Sequence, residues 1–205
     1  MLAASPSVDI HNLRDPLPGS HRAWDAQPLG FLGQGLVGKL MQEQDWGASV
    51  MGSPSTWPQP VVTLVRLMLG SSSPMCLAWG PKLALLYNDA YVAMLGEKHP
   101  ASLGQPLAEV WCEIWPDLES MVEQTLAGHT VHHDDVPFSI ERRKGQPEEA
   151  WFSFSWVPVH DVDGRVQGFF ASLTETTARK HLDDARRENE RRDADAAASI
   201  EGERR

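Results

Sequence analysis

The chain has 205 residues, enough for one domain of ordinary size with extensions. Its 41% hydrophobic content and eight tryptophans can furnish a packed core, whereas a formal charge of -10 and a pI near 5.2 exclude the basic face needed to neutralise nucleic-acid phosphates. No run of roughly 18 or more apolar residues occurs, and no basic region followed by an apolar stretch opens the chain, so we expect no membrane association and a cytoplasmic location.

Residues 1–30 carry scattered Pro, Gly and Ser without a sustained apolar period, which predicts a disordered tail. A helical lead-in is expected over 31–69. In its first helix Leu36, Val37, Leu40 and Met41 share one face, with an end near Trp46 and Gly47. In its second, Ser55 or Thr56 can cap, Pro58 falls in the first turn, and Val61, Leu64, Val65 and Met68 form a stripe that stops before Gly70.

The stretch PMCLAWGPKLALLYND reads as two short strands turning at Gly80-Pro81, with Met75, Leu77 and Trp79 alternating against Cys76 and Ala78. Asn88-Asp89 then breaks the strand, and these side chains can accept bonds from the first amides of the next helix; Tyr91 is expected to cover the core. In LAEVWCEIW the positions Leu107, Val110, Trp111, Ile114 and Trp115 have the spacing of one helix face, and Leu118, Met121, Val122 and Leu126 repeat it up to Gly128. Cys76 and Cys112 lie in apolar surroundings without CxxC spacing, so both read as small core residues in a reducing compartment.

From residue 134 the period becomes two. Val136, Phe138 and Ile140 alternate in one strand, Phe152, Phe154 and Trp156 in the next, and RVQGFFASLT adds a last one, with turns at Lys144-Gly145-Gln146-Pro147 and Asp161-Val162-Asp163-Gly164. The stretch from residue 178 is charged and rich in helix formers; Leu182 and Ala185 begin a weak heptad seam that Asn189 and Arg192 continue poorly, so a solvated helix is expected.

A hairpin, short helices, a longer helix and three antiparallel strands in this order resemble a PAS domain. The turn Tyr87-Asn88-Asp89, the stretch with Leu103, Gly104 and Pro106, and the exit LTETTARK carry the resemblance, which covers roughly 70–180. The run from DW through WPQPVVTLVRLML to LAEVWCEIW more narrowly resembles the N-terminal PAS sensor of bacterial two-component or hybrid sensor histidine kinases. The resemblance implies an α+β fold: a five-stranded antiparallel sheet with helices on one face, at 70–178, between the lead-in and a charged exit helix at 179–205. It also implies a ligand cavity between sheet and helices, which Trp111, Trp115, Phe138, Phe152, Phe154 and Trp156 could line, although aromatics so spaced are commonly plain core.

The sequence departs from the pattern in three places. No H-E-x-x-x-P phosphoacceptor stretch and no Asn- and Gly-rich ATP-binding boxes are present, so no kinase activity is expected of the chain. Glu175 follows Thr174 where Asp-Ile-Thr is usual. The position of the reactive cysteine of flavin-binding light sensors falls in GQPLAEV, which has none, so a flavin adduct is not expected.

Competing site readings are weaker. His129, His132, His133, Asp134 and Asp135 invite a metal, yet adjacent His132 and His133 point to opposite faces of a strand, and a solvated strand entry is preferred. Heme through these residues or His99 is not expected, nor redox sensing by Cys112, whose neighbours Trp111 and Glu113 supply no cation. No Ser/His/Asp set and no glycine-rich loop between strand and helix supports an enzyme. The expectation is a cytoplasmic sensory module, dimeric by resemblance, relaying binding of a small molecule or partner to a kinase or other output domain. The alternatives are a ligand-free interaction scaffold, or a remnant of a truncated kinase.

Overall fold

The computed structural model of the chain describes residues 35–203; the tail expected over 1–30 lies outside them. Helix α1 (Gly35–Glu43) buries Val37 and Met41 and exposes Leu36, so its apolar stripe is narrower than expected. Helix α2 (Gln59–Leu69) buries Val61, Val65 and Met68. Its start differs from expectation: Pro58 is the N-cap and Pro60 stands in the first turn, while Ser53 caps a separate 3-10 turn, Pro54–Thr56. Proline forces the residue before it toward extended backbone, so a helix begun at Thr56 could not run through Trp57 and Pro58.

Strands β1 (Met75–Trp79) and β2 (Ala84–Tyr87) form the antiparallel hairpin, with Cys76 opposite Tyr87 and Leu77 opposite Leu86. Gly80 (φ +80) opens the turn, a conformation glycine adopts without a Cβ penalty. The hairpin does not alternate between buried and exposed: Cys76, Leu77 and Ala78 are all buried, because α2 packs against this pair as well.

After a 3-10 turn at Asp89–Tyr91 come α3 (Val92–Leu95), a second turn at Gly96–Lys98, α4 (Leu107–Val110) and α5 (Trp115–Leu126). The single helix expected from Leu107 to Trp115 is thus two. Trp111 (φ -113, ψ 37) and Ile114 (φ -116, ψ 8) leave helical geometry, and α5 restarts with Pro116 in its first turn. Inside one continuous helix Pro116 would lose a backbone bond and press on the carbonyl of Cys112, whereas in a first turn it does neither. The break also turns Cys112 outward. That cysteine, expected in the core, is exposed, and only Cys76 is buried.

Strands β3 (Val131–Arg143), β4 (Gln146–His160) and β5 (Val166–Glu175) complete one sheet of order β2-β1-β5-β4-β3, antiparallel throughout. β3 starts earlier than the change of period suggested and is bulged between His133 and Val136, where Asp135 has φ +53. Helix α6 (Thr177–Glu203) leaves the end of β5. In register across all five strands, Tyr87, Cys76, Ala171, Trp156 and Val131 form one row. Directly paired residues share a sheet face, so this row and its like-facing neighbours form the floor on which α3, α4 and α5 close the core.

Candidate functional site: the cavity between sheet and helices

Between that floor and the helices lies a cavity of about 60 Å³. β4 supplies Phe152, Phe154 and Trp156; Phe138 and Ile140 come from β3, Phe169 and Leu173 from β5, and Cys76 from β1. The helical roof is Tyr91, Met94, Leu107, Trp111, Ile114 and Leu118. Of the aromatic residues expected at such a cavity, the structure brings together Trp111, Phe138, Phe152, Phe154 and Trp156. Trp115 does not line it; half-buried at the start of α5, it packs on the margin of the core because the chain has turned at Ile114. The period of two in β5 carried a usable signal for Phe169 and Leu173, and the apolar stripe beginning at Leu118 one for that residue, but nothing local in the sequence marks Met94.

The aromatic wall is continuous. Ring centroids are 6.2 Å apart for Phe138 with Phe152 and with Phe154, 5.2 Å for Phe154 with Trp156, and 4.8 Å for Trp156 with Phe169, the last pair stacked within 17°. On the roof, Trp111 Nε1 donates to the Tyr91 hydroxyl at 3.2 Å. Burial raises the pKa of Tyr91 well above its ordinary value, and it pushes the Cys76 thiol up to about 12, the Tyr91 hydroxyl offsetting part of the latter. Both groups are therefore neutral at ordinary pH, and the Cys76 thiol is not a nucleophile. Among the described residues no charged side chain lines the cavity.

Two sets of contacts lead from the cavity to the surface. On the helical side, Lys98 lies over the Trp111 ring, 4.1 Å from its centroid, and pairs with Glu113, whose carboxylate also accepts the Glu141 amide of β3 at 3.2 Å. This ties the break between α4 and α5 to the sheet. On the sheet side, Trp151 precedes Phe152 and faces away from the cavity. Its amide donates to Thr177 Oγ1 at 2.9 Å, its carbonyl accepts from the Thr176 amide at 2.7 Å, and Lys180 sits 4.7 Å from its ring centroid. Arg179 donates to Asp135 Oδ1 at 2.5 Å. The Thr176 hydroxyl above all holds the Asp135 carboxyl below its ordinary pKa of 3.8; desolvation opposes it, and Arg179 and Lys180 add to the lowering. Glu175, at the unusual exit position, pairs with Arg142 at 2.7 Å.

The remaining candidate residues fall elsewhere. His129, His132, His133 and Asp134 are exposed, and no group of three or more His, Cys, Asp or Glu fit to hold a metal occurs among the described residues. His99 Nδ1 shares a 2.9 Å hydrogen bond with the Tyr87 hydroxyl, away from the cavity wall. Asn88 accepts the Tyr91 amide as expected of a cap. Asp89 does something else: its two oxygens accept the Leu36 and Val37 amides at 2.9 and 2.7 Å, capping α1 rather than the helix that follows it.

Comparison with known proteins adds the following. A family model described as PAS fold matches residues 70–181. No curated protein sequence matches the chain. Among solved structures, similarity is found to the PAS domain of BvgS from Bordetella pertussis, with 17% identity and TM-score 0.42 over 64% of this chain and 97% of that one. An RNA-binding light-oxygen-voltage receptor has 21% identity and TM-score 0.46, over 66% of this chain and 40% of that one. A sensory box sensor histidine kinase from Vibrio cholerae has 12% identity and TM-score 0.40, over 56% of this chain and 90% of that one. Among the described residues no helix is long and apolar enough to cross a membrane.

Proposed function

Since this chain belongs to the PAS family through residues 70–181, we propose that it is a cytoplasmic sensory module of bacterial two-component type, in which occupancy of the cavity sets the pose of α6. The observation that carries this reading is the alternation along β4. Phe152, Phe154 and Trp156 form the cavity wall, and Trp151, the residue before Phe152, holds the start of α6 through its own amide and carbonyl and the Lys180 contact. A ligand that wedges the wall must either tilt β4 or be refused. Tilting β4 strains the contacts that hold α6.

The relay is a population shift, whose size equals the difference in ligand affinity between the docked and released states of α6. The chain has no catalytic part in this reading; α6 passes the change to an output domain of the histidine-kinase or another signalling class. A homodimer through the N-terminal helices or α6 belongs to this reading, as the resemblance implies.

Hydrogen exchange of residues 174–182 with and without pressurised xenon, an apolar probe suited to a dry cavity, tests the relay. We expect altered protection in the first turns of α6. Unchanged protection, while xenon-induced shifts at Phe154 and Trp156 saturate, would remove the relay. A second reading, an interaction scaffold with a filled core, is favoured by the small size of the cavity, about 60 Å³. Absence of any xenon response would support it.

A further inference from the structure

The cavity wall contains a polar group that the protein leaves unsatisfied. Trp156 is 5% exposed, and its Nε1 is sealed from solvent and meets no acceptor among the described residues. An indole N–H can only donate, so no rearrangement of its own proton relieves it. The other indole of the cavity, Trp111, has found the Tyr91 hydroxyl. The Trp156 ring is held in place, stacked on Phe169 and tilted against Phe154, so its donor is presented in a fixed direction.

The surroundings restrict what can answer it. A carboxylate or ammonium would enter a cavity that no charged side chain among the described residues lines, with nothing there to offset its lost hydration. Water needs two to four polar partners, and this wall is aromatic and aliphatic apart from a few groups already engaged with one another. A volume of about 60 Å³ has room for roughly four to six non-hydrogen atoms.

We propose that the cavity takes a small neutral carbonyl compound, whose oxygen accepts the Trp156 N–H and whose hydrocarbon part packs against Phe154, Phe138 and Ile114. This deepens the sensory reading and rests on it. Binding is noncovalent, because the neighbouring Cys76 thiol remains protonated and the cavity offers no base.

A matched pair of probes decides the matter: cyclopentanone and methylenecyclopentane have nearly the same shape and differ in whether C=O or C=CH2 faces the donor. Each is titrated into isotope-labelled protein, with the Trp156 indole resonance identified by its loss in Trp156→Phe. The ketone should bind about three- to tenfold more tightly than the hydrocarbon and move the Trp156 indole proton downfield. In Trp156→Phe that preference should vanish while hydrocarbon binding persists. If the variant does not fold, the comparison in the unaltered protein decides alone. Equal affinities, or a preference that survives in Trp156→Phe, would overturn the carbonyl inference and leave the sensory reading standing. Saturable binding of neither probe would overturn both.

Discussion

Asn88 Nδ2 donates to the Ser73 carbonyl at 2.8 Å, joining the end of β2 to the loop that precedes β1. The same nitrogen reaches the carbonyls of Met68 and Ser71, and Asn88 Oδ1 accepts the amides of Met75 and Tyr91. One fully buried amide therefore fixes the end of α2, the start of β1 and the turn toward α3. Asn88→Ala leaves these groups without partners in a place water does not reach, and should lower stability by about 2 to 4 kcal/mol in urea unfolding. Asn88→Asp should do no better, since a carboxylate would face three carbonyl oxygens. A loss below about 1 kcal/mol for either variant would refute this role.

Trp111 and Trp115 separate what one uninterrupted helix would have made equivalent. Trp111 is 5% exposed and roofs the cavity, whereas Trp115 is half-buried at its margin. Trp111→Ala should cost about 3 to 5 kcal/mol. Trp115→Ala should cost about 1 to 2 kcal/mol. Equal losses in chemical denaturation would mean that the chain does not break between them.

The two cysteines should differ sharply toward a thiol reagent. Cys112 is exposed, while Cys76 is buried with its pKa pushed up to about 12 by desolvation. One thiol should react at once in the native protein and the second only on unfolding. Cys112→Ala should abolish the fast phase and leave the slow one; a fast phase that survives this substitution would place Cys76 within reach of solvent.

His99 predicts a distinct acid step. Burial holds its pKa below 6.5, with the Asp89 carboxylate opposing, so the folded protein binds this proton less readily than the unfolded chain. The associated stability is fully present above pH 6.5 and is lost as pH falls through the lower folded value. His99→Gln should therefore flatten the fall in unfolding free energy between about pH 7 and 5. Asp135 and Asp161, both held below 3.8, lose their share only at lower pH, so the two steps are separable.

The aromatic wall could be read from the sequence because a period of two in WFSFSW states which residues share a face whatever lies opposite. Trp115 falls elsewhere than expected because the helical spacing from Leu107 carries up to the residue before Pro116, whose missing N–H fits only the first turn of a new helix and so places Trp115 at that helix's start. Asp89 capping α1 could not be read at all: its partners lie 52 and 53 residues away, brought near only by packing of the lead-in on the domain. Cys112 misled for a related reason, since apolar neighbours in sequence say nothing once the backbone turns between them. The orphaned Trp156 N–H is likewise a tertiary property, visible only when every surrounding atom is placed.

The sheet order also governs how the domain comes into being. β1 pairs with β5, so the central seam joins the first strand of the sheet to the last across nearly the whole domain. Such a distant pairing pays its loop-closure entropy late, and the local hairpins can form before it does. During synthesis β1 and β2 have no sheet to join until β5 has left the ribosome. The pocket and the start of the exit helix are therefore completed in the same folding event: a chain that has made its sensor has already made the attachment of its lever.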